Sequence, residues 1–126
     1  MIKTVAVDFD GTISDYRGFR GSGVFGEPVG GAREALEEMK RKGWRIIVNT
    51  CRLEVDKVAS YMNLWSLPYD YINFNPEGYS QMLHPGKVLA DAYVDDRSVS
   101  FRGDWKETVE ELDRFTPWWR EEEVAR

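Results

Sequence analysis

The order of apolar and polar residues along this chain predicts an α/β fold built on a central parallel sheet. Two observations carry that prediction. Short runs rich in β-branched residues alternate with stretches whose apolar residues recur at helical spacing, the pattern of strands joined by helical crossovers. Each predicted strand end also lies beside residues suited to phosphate chemistry, and open parallel sheets bind their ligands beyond the carboxyl ends of the strands.

Ile2 to Phe9 is a short apolar run that stops at Asp10-Gly11-Thr12, and it predicts the first strand. Between Ser14 and Gly31 stand six glycines and Pro28, a density of breakers that opposes helix and strand alike. This segment, about 14–31, is expected to be a long flexible flap. Ala32, Ala35, Leu36 and Met39 then recur at helical spacing, with Gly43 as a stop signal. Trp44 to Val48 predicts a buried strand. It leads through Asn49-Thr50-Cys51-Arg52 into a second helix marked by Val55, Val58, Ala59 and Met62. Tyr71 to Phe74 predicts a brief third strand, Ala92 to Val94 a fourth, and Trp105, Val109 and Leu112 a final helix. Right-handed crossovers would cover the sheet on both faces.

The 126 residues suffice for one domain with a real core and are too few for two of ordinary size. One domain over 1–126 is therefore expected, with a C-terminal tail from about 116. A composition of 42% hydrophobic and 31% charged residues suggests neither a disordered chain nor a membrane span, and no apolar stretch approaches the roughly 18 to 20 residues that a spanning helix needs. Cys51 is the single cysteine, so no internal disulfide can form, and a reducing compartment, the cytoplasm, is expected. Cys51 itself reads as a small buried residue. The net charge of −5 opposes broad binding to nucleic acid or anionic membrane, although it does not exclude nucleotides or a nucleic-acid end.

Asp8 and Asp10 lie two apart at the end of the first strand, so both can face one pocket while Phe9 points into the core and Gly11 turns the backbone. Thr50, after the second strand, offers a hydroxyl and a backbone N–H near a helix start. Asp95-Asp96 ends the fourth strand. Adjacent carboxylates there repel unless a proton or cation intervenes, and Mg²⁺ prefers hard oxygen ligands. Lys87, ahead of that strand in a Pro85-Gly86-Lys87 turn into a short helix, can neutralise a phosphoryl group. Taken one at a time, each has an ordinary rival: a solvated turn for the Asp pair, a helix cap for Thr50, a surface position for Lys87. Arg52 is balanced between gripping substrate and forming an ion pair, Arg97 favours an ion pair, and His84 reads as structural.

In that order, Asp8-Phe9-Asp10-Gly11-Thr12, Thr50, Lys87 and Asp95-Asp96 resemble the four motifs of the haloacid dehalogenase superfamily, over the span Asp8 to Asp96. The segment Ala90 to Arg97 is similar to small capless phosphatases related to capsule-biosynthesis proteins. The resemblance implies a Rossmann-like three-layer fold with no large cap. It also implies a phosphomonoester hydrolase in which Asp8 attacks phosphorus, a phosphoaspartate forms, and Asp10 protonates the leaving oxygen and later activates water. By the same resemblance, Mg²⁺ is held by Asp8, the main chain of Asp10 and one of Asp95 and Asp96, with Asp95 ranked first and Asp96 binding through water or orienting Lys87. Gly11, Thr12, Thr50 and Arg52 are expected around the substrate, a sugar phosphate, nucleotide or polynucleotide end.

With no cap, selectivity is expected from Tyr16, Arg17, Phe19, Arg20 and Phe25 of the flap, or from a second copy of the chain closing the open site. The Trp118-Trp119 pair would dock on the domain or supply that contact. Two rival classes remain. A phosphate-acceptor switch resembling a receiver domain also uses aspartates, a Thr and a Lys, but its acidic pair follows the first strand. A catalytically silent module would keep the pocket without turnover.

Overall fold

The computed structural model describes residues 2–78 and 86–120. Four strands, β1 (Thr4–Asp8), β2 (Arg45–Asn49), β3 (Tyr71–Ile72) and β4 (Ala92–Val94), form one sheet in the order β3-β2-β1-β4 with every pairing parallel. Helices α1 (Ala32–Arg41), α2 (Val55–Leu64) and α3 (Trp105–Arg114) follow β1, β2 and β4 along the chain. The chain thus adopts the expected α/β class, a parallel sheet with flanking helices in a Rossmann-like arrangement and no large cap. Among the described residues no helix is long and apolar enough to cross a membrane.

The register explains the core. Val5 pairs with Ile46 and Val7 with Val48, so these side chains share one face of the sheet. Leu36 of α1 and Val58, Tyr61 and Met62 of α2 join them there in a single buried cluster with Phe9 and Ile13. On the opposite face Thr4, Ala6 and Ile47 are also buried. Strand alternation places Asp8 on that second face, away from Phe9.

Local signals terminate the elements where expected. Gly43, at φ 89°, follows α1, and the amides of Gly43 and Trp44 donate to the carbonyls of Lys40 and Met39, a Schellman closure that a left-handed glycine permits. Asp104 caps α3 by accepting from the amides of Lys106 and Glu107. Three expectations need correcting. The third strand stops at Ile72 because Asn73 takes a left-handed φ of 56° and turns the chain. Gly86 and Lys87 form a turn and bend with no helix among the described residues, while Pro85 and His84 lie outside them. Finally α3 forms, but its apolar stripe of Trp105, Val109 and Leu112 stays exposed, since helical spacing predicts a helix without specifying what covers it.

Strand order also positions the functional end of the sheet. β1 has β2 on one side and β4 on the other, so the progression of the chain reverses at the β1–β4 boundary. In open α/β sheets such a reversal leaves a crevice beyond the strand ends. The residues following both strands therefore meet there.

Candidate active site

The loop after β1 is wound tightly around one carbonyl. The amides of Thr12, Ile13 and Ser14 donate to the Phe9 oxygen at 3.2, 2.9 and 3.0 Å, and that of Gly11 to the Ser14 oxygen at 2.9 Å. Gly11 makes the turn at φ 85°. A Cβ there would run into the Asp96 carboxylate and the Trp119 indole, so only glycine fits. Phe9 anchors the loop from below, edge-on to Phe25 and Tyr61 with ring centroids 5.4 and 5.1 Å away. The Thr12 hydroxyl donates to Asp8 Oδ2 at 3.3 Å. The amides of Gly11 and Thr12, two residues expected around the substrate, are engaged within the loop itself.

Because Val7 pairs with Val94, the residues after β4 arrive beside Asp8. One carboxylate oxygen from each of Asp8, Asp95 and Asp96 lies within 4.8 Å of the others. Asp96 is turned inward: the Trp119 indole donates to its Oδ2, whereas its Oδ1 is buried with no hydrogen-bond partner. Asp95 is exposed and accepts the Arg97 amide at 2.8 Å.

Three negative groups so close perturb one another. Burial, a shared hydrogen bond with Asp96 and the charges of Asp95 and Asp96 push the Asp8 carboxyl up to about 8. Burial also pushes Asp96 upward. Hydrogen bonding from Asp8, the Trp119 indole and its own backbone, with the Arg97 charge, outweighs that and leaves Asp96 below the ordinary carboxylate value. Asp8 and Asp96 therefore titrate as a pair, which holds one proton more tightly than an isolated aspartate would. The orphaned Oδ1 of Asp96 needs a donor or a cation, and a proton on Asp8 or a hard divalent ion would serve. The all-oxygen donor set of Asp8, Asp95 and Asp96 is of the kind that could hold a hard divalent cation such as Mg²⁺.

Asp10 borders the same cleft but is not one of the three clustered carboxylates. The Arg52 guanidinium grips it through Nε to Oδ2 at 2.7 Å and Nη2 to Oδ1 at 2.9 Å, and that pairing raises the Arg52 pKa. Arg52 also donates to the carbonyls of Gly21 and Val24 and lies 4.5 Å from the centre of the Phe25 ring. Of the two roles weighed for Arg52, the structure displays the ion pair. Thr50 lies at the mouth, but α2 begins only at Val55, so Thr50 is not at a helix start. Its amide is taken by the Asn73 side chain at 2.8 Å, and its hydroxyl oxygen accepts the Arg52 amide at 3.1 Å. Neither bond engages its hydroxyl proton. Cys51 is exposed in the same cleft, contrary to the expected burial, because the stretch between β2 and α2 runs along the rim.

These residues line a cleft of about 690 Å³ bordered by Asp8, Asp10, Thr50, Arg52 and Asp95, with Tyr16, Phe19 and Arg97 at its edge. Lys87 is not among the lining residues, although Gly86 is. Its ammonium sits 4.8 Å from the centre of the Tyr93 ring on β4. Arg97 has no ion pair among the described residues and lies over Trp119 instead, 5.2 Å from the ring centre.

The flap is fastened at its base by backbone bonds and at its tip by Arg52 and by Lys57, which donates to the Ser22 hydroxyl at 3.4 Å. The Asp15 amide bonds the Glu27 carbonyl at 2.7 Å, the Val29 amide that of Ile13 at 2.8 Å, and the Tyr61 hydroxyl the Gly26 carbonyl at 2.7 Å. Phe25, expected at the pocket mouth, packs on the core instead. Phe19 remains 69% exposed beside the cleft, and Arg17 and Arg20 lie along the flap's other side. The contribution of Trp119 is the feature that sequence reasoning missed. The Trp-Trp pair was visible, but nothing local placed it on Asp96.

No family model matches this chain, and no curated protein does. Among solved structures it is similar to a conserved protein coded by a locus from Bacteroides thetaiotaomicron, at 29% identity and a TM-score of 0.65, over 90% of this chain and 92% of that one.

Proposed function

We propose that this protein is a Mg²⁺-dependent phosphomonoester hydrolase of the haloacid dehalogenase type, acting through a phosphoaspartate on Asp8. The observation that carries the reading is the meeting of Asp8, Asp95 and Asp96 within 4.8 Å at the sheet's reversal point, around a buried carboxylate oxygen that lacks a partner. Such a cluster is unfavourable without a cation or proton and favourable with one.

In this reading an oxygen of ionised Asp8 forms a bond to phosphorus as the ester P–O bond breaks, and the departing oxygen takes a proton from Asp10. Water then attacks the phosphoaspartate, its proton passing to Asp10, and phosphate leaves with Asp8 regenerated. When bound, Mg²⁺ supplies charge neutralisation for Asp8 and the phosphoryl oxygens. Thr50 offers its hydroxyl to a phosphoryl oxygen. The Arg52 clasp must loosen for Asp10 to hold a proton, so the geometry described corresponds to a resting arrangement. Tyr16, Phe19 and Arg97 at the cleft edge suit a substrate bearing a ring or a second anionic group, a sugar phosphate or a nucleotide.

The test is phosphate release from a generic aryl phosphate and a panel of phosphorylated metabolites, with Mg²⁺ or with chelator. Turnover that requires Mg²⁺ and vanishes in Asp8→Asn supports the reading. Equal turnover by Asp8→Asn, or no turnover of any panel member, rejects it and leaves the acceptor-switch or silent-module reading.

A further inference from the structure

The C-terminal segment folds back across the ends of β1 and β4 and joins them through two tryptophans. Trp118 Nε1 donates to the Gly11 carbonyl at 2.7 Å, and Trp119 Nε1 donates to Asp96 Oδ2. Trp119 is only 7% exposed. Its ring stands edge-on to Tyr16, with centroids 4.9 Å apart, and the guanidiniums of Arg97 and Arg120 each lie 5.2 Å from its centre. A ring held from several sides cannot swing, so the direction of its N–H is determined by packing.

That direction matters to Asp96. A carboxylate has two side-chain torsions, and an N–H held on Oδ2 also determines where Oδ1 lies. Here Oδ1 is buried, with no donor from outside the acidic cluster. An aspartate free to rotate would turn that oxygen toward water or a backbone donor, since an unpaired buried acceptor is costly.

We propose that Trp119 is a positioning residue for the cation site: its indole N–H holds Asp96 so that the second carboxylate oxygen stays presented to the cluster. Docking of the C-terminal segment thereby sets the affinity for Mg²⁺. This inference rests on reading the Asp8, Asp95 and Asp96 cluster as a cation site. It goes beyond that reading by assigning part of the site's construction to a side chain that touches neither phosphate nor metal. The competing role for Trp119 is packing alone, and the two differ in one atom: packing needs the ring, whereas positioning needs the N–H.

The experiment replaces Trp119 in the full chain by its benzothiophene isostere, which keeps the shape and loses the donor, and measures Mg²⁺ binding by titration calorimetry. Partners that orient metal ligands typically contribute roughly 10–100-fold to affinity, and a weakening of that size is expected, with Trp119→Phe as a second variant that also lacks the N–H. In the wild type the Trp119 indole N–H resonance, identified by its loss in Trp119→Phe, should move during the Mg²⁺ titration with the same Kd. Wild-type affinity in the isostere, or an indole resonance that Mg²⁺ leaves unmoved, overturns the positioning role while the cation site stands. Absence of Mg²⁺ binding in the wild type removes the cation reading itself, and the inference with it.

Discussion

Arg52 and Asp10, 42 residues apart, are joined by two parallel hydrogen bonds with side chains only 6% and 19% exposed. Removing one member of such a pair strands the other in a poorly hydrated site. The same guanidinium holds flap carbonyls, so its loss should loosen the flap as well. We expect Arg52→Ala to lower stability by about 3 kcal/mol, measured by urea denaturation. In a double-mutant cycle with Asp10→Ala the two losses should fall well short of additive. Additive losses would show that the pair does not hold the loop to the flap.

Asp8→Asn separates chemistry from charge. Turnover should disappear, because an amide lacks the nucleophilic oxygen. The Mg²⁺-free variant should nonetheless be more stable than wild type above pH 8, since one of three mutually repelling charges is gone. A tenfold change in proton affinity corresponds to roughly 1.4 kcal/mol, and the cleft admits water that screens the charges, so an increase on the order of 1–3 kcal/mol is expected. A decrease in the thermal midpoint at pH 9 would contradict the account of the cluster.

Stability without divalent cations should fall with rising pH. The Asp8 pKa is raised from 3.8 to about 8 on folding, so the native state binds more protons than the unfolded state between those values. The associated stability is complete below about pH 4 and is lost as pH rises through about 8. Mg²⁺ competes with the same proton, so its apparent affinity should rise over this window. Thermal midpoints recorded from pH 5 to 9, with and without Mg²⁺, check both statements. A Mg²⁺ affinity independent of pH would show that Asp8 does not exchange a proton for the ion.

The flap should divide at Phe25. Phe25 packs on Phe9 and Tyr61, so Phe25→Ala is expected to cost about 3 kcal/mol, whereas the exposed Phe19→Ala should stay within about 0.5 kcal/mol. Replacing Arg17 through Val24 by a Gly-Ser linker, with Tyr16 and Phe25 kept, should slow a generic ester only modestly. It should reduce discrimination among natural phosphates, read as the ratio of kcat/KM values. An unchanged ratio would place selectivity on the opposite rim, at Arg97.

Cys51 should react in the native state. It is exposed in the cleft, so N-ethylmaleimide should label the folded protein at one site, and Mg²⁺ with inorganic phosphate should slow the labelling. Cys51→Ser should retain turnover, because the thiol has no role in the proposed chemistry. Labelling only in denaturant would mean that the rim closes over the thiol.

Much of this protein was readable from neighbours along the chain. Helical spacing at Leu36 and Met62, β-branched runs at Val5 to Val7 and Ile46 to Val48, and stop signals at Gly11 and Gly43 are local properties, and local sterics decide them. Their alternation implied a parallel sheet, and that sheet placed Asp8 and Asp95-Asp96 at strand ends where they could meet. What local pattern could not supply was the pairing of distant side chains. The order β3-β2-β1-β4 puts β4 beside β1 and closes the acidic cluster. Folding also turned Asp10 to Arg52, committed the Thr50 amide to Asn73, exposed Cys51 and left Lys87 over Tyr93. Above all it brought Trp119 onto Asp96, 23 residues away. Periodicity reports which side of an element is apolar. Which polar atom finds which donor depends on the packing of whole elements, and only the tertiary structure decides that.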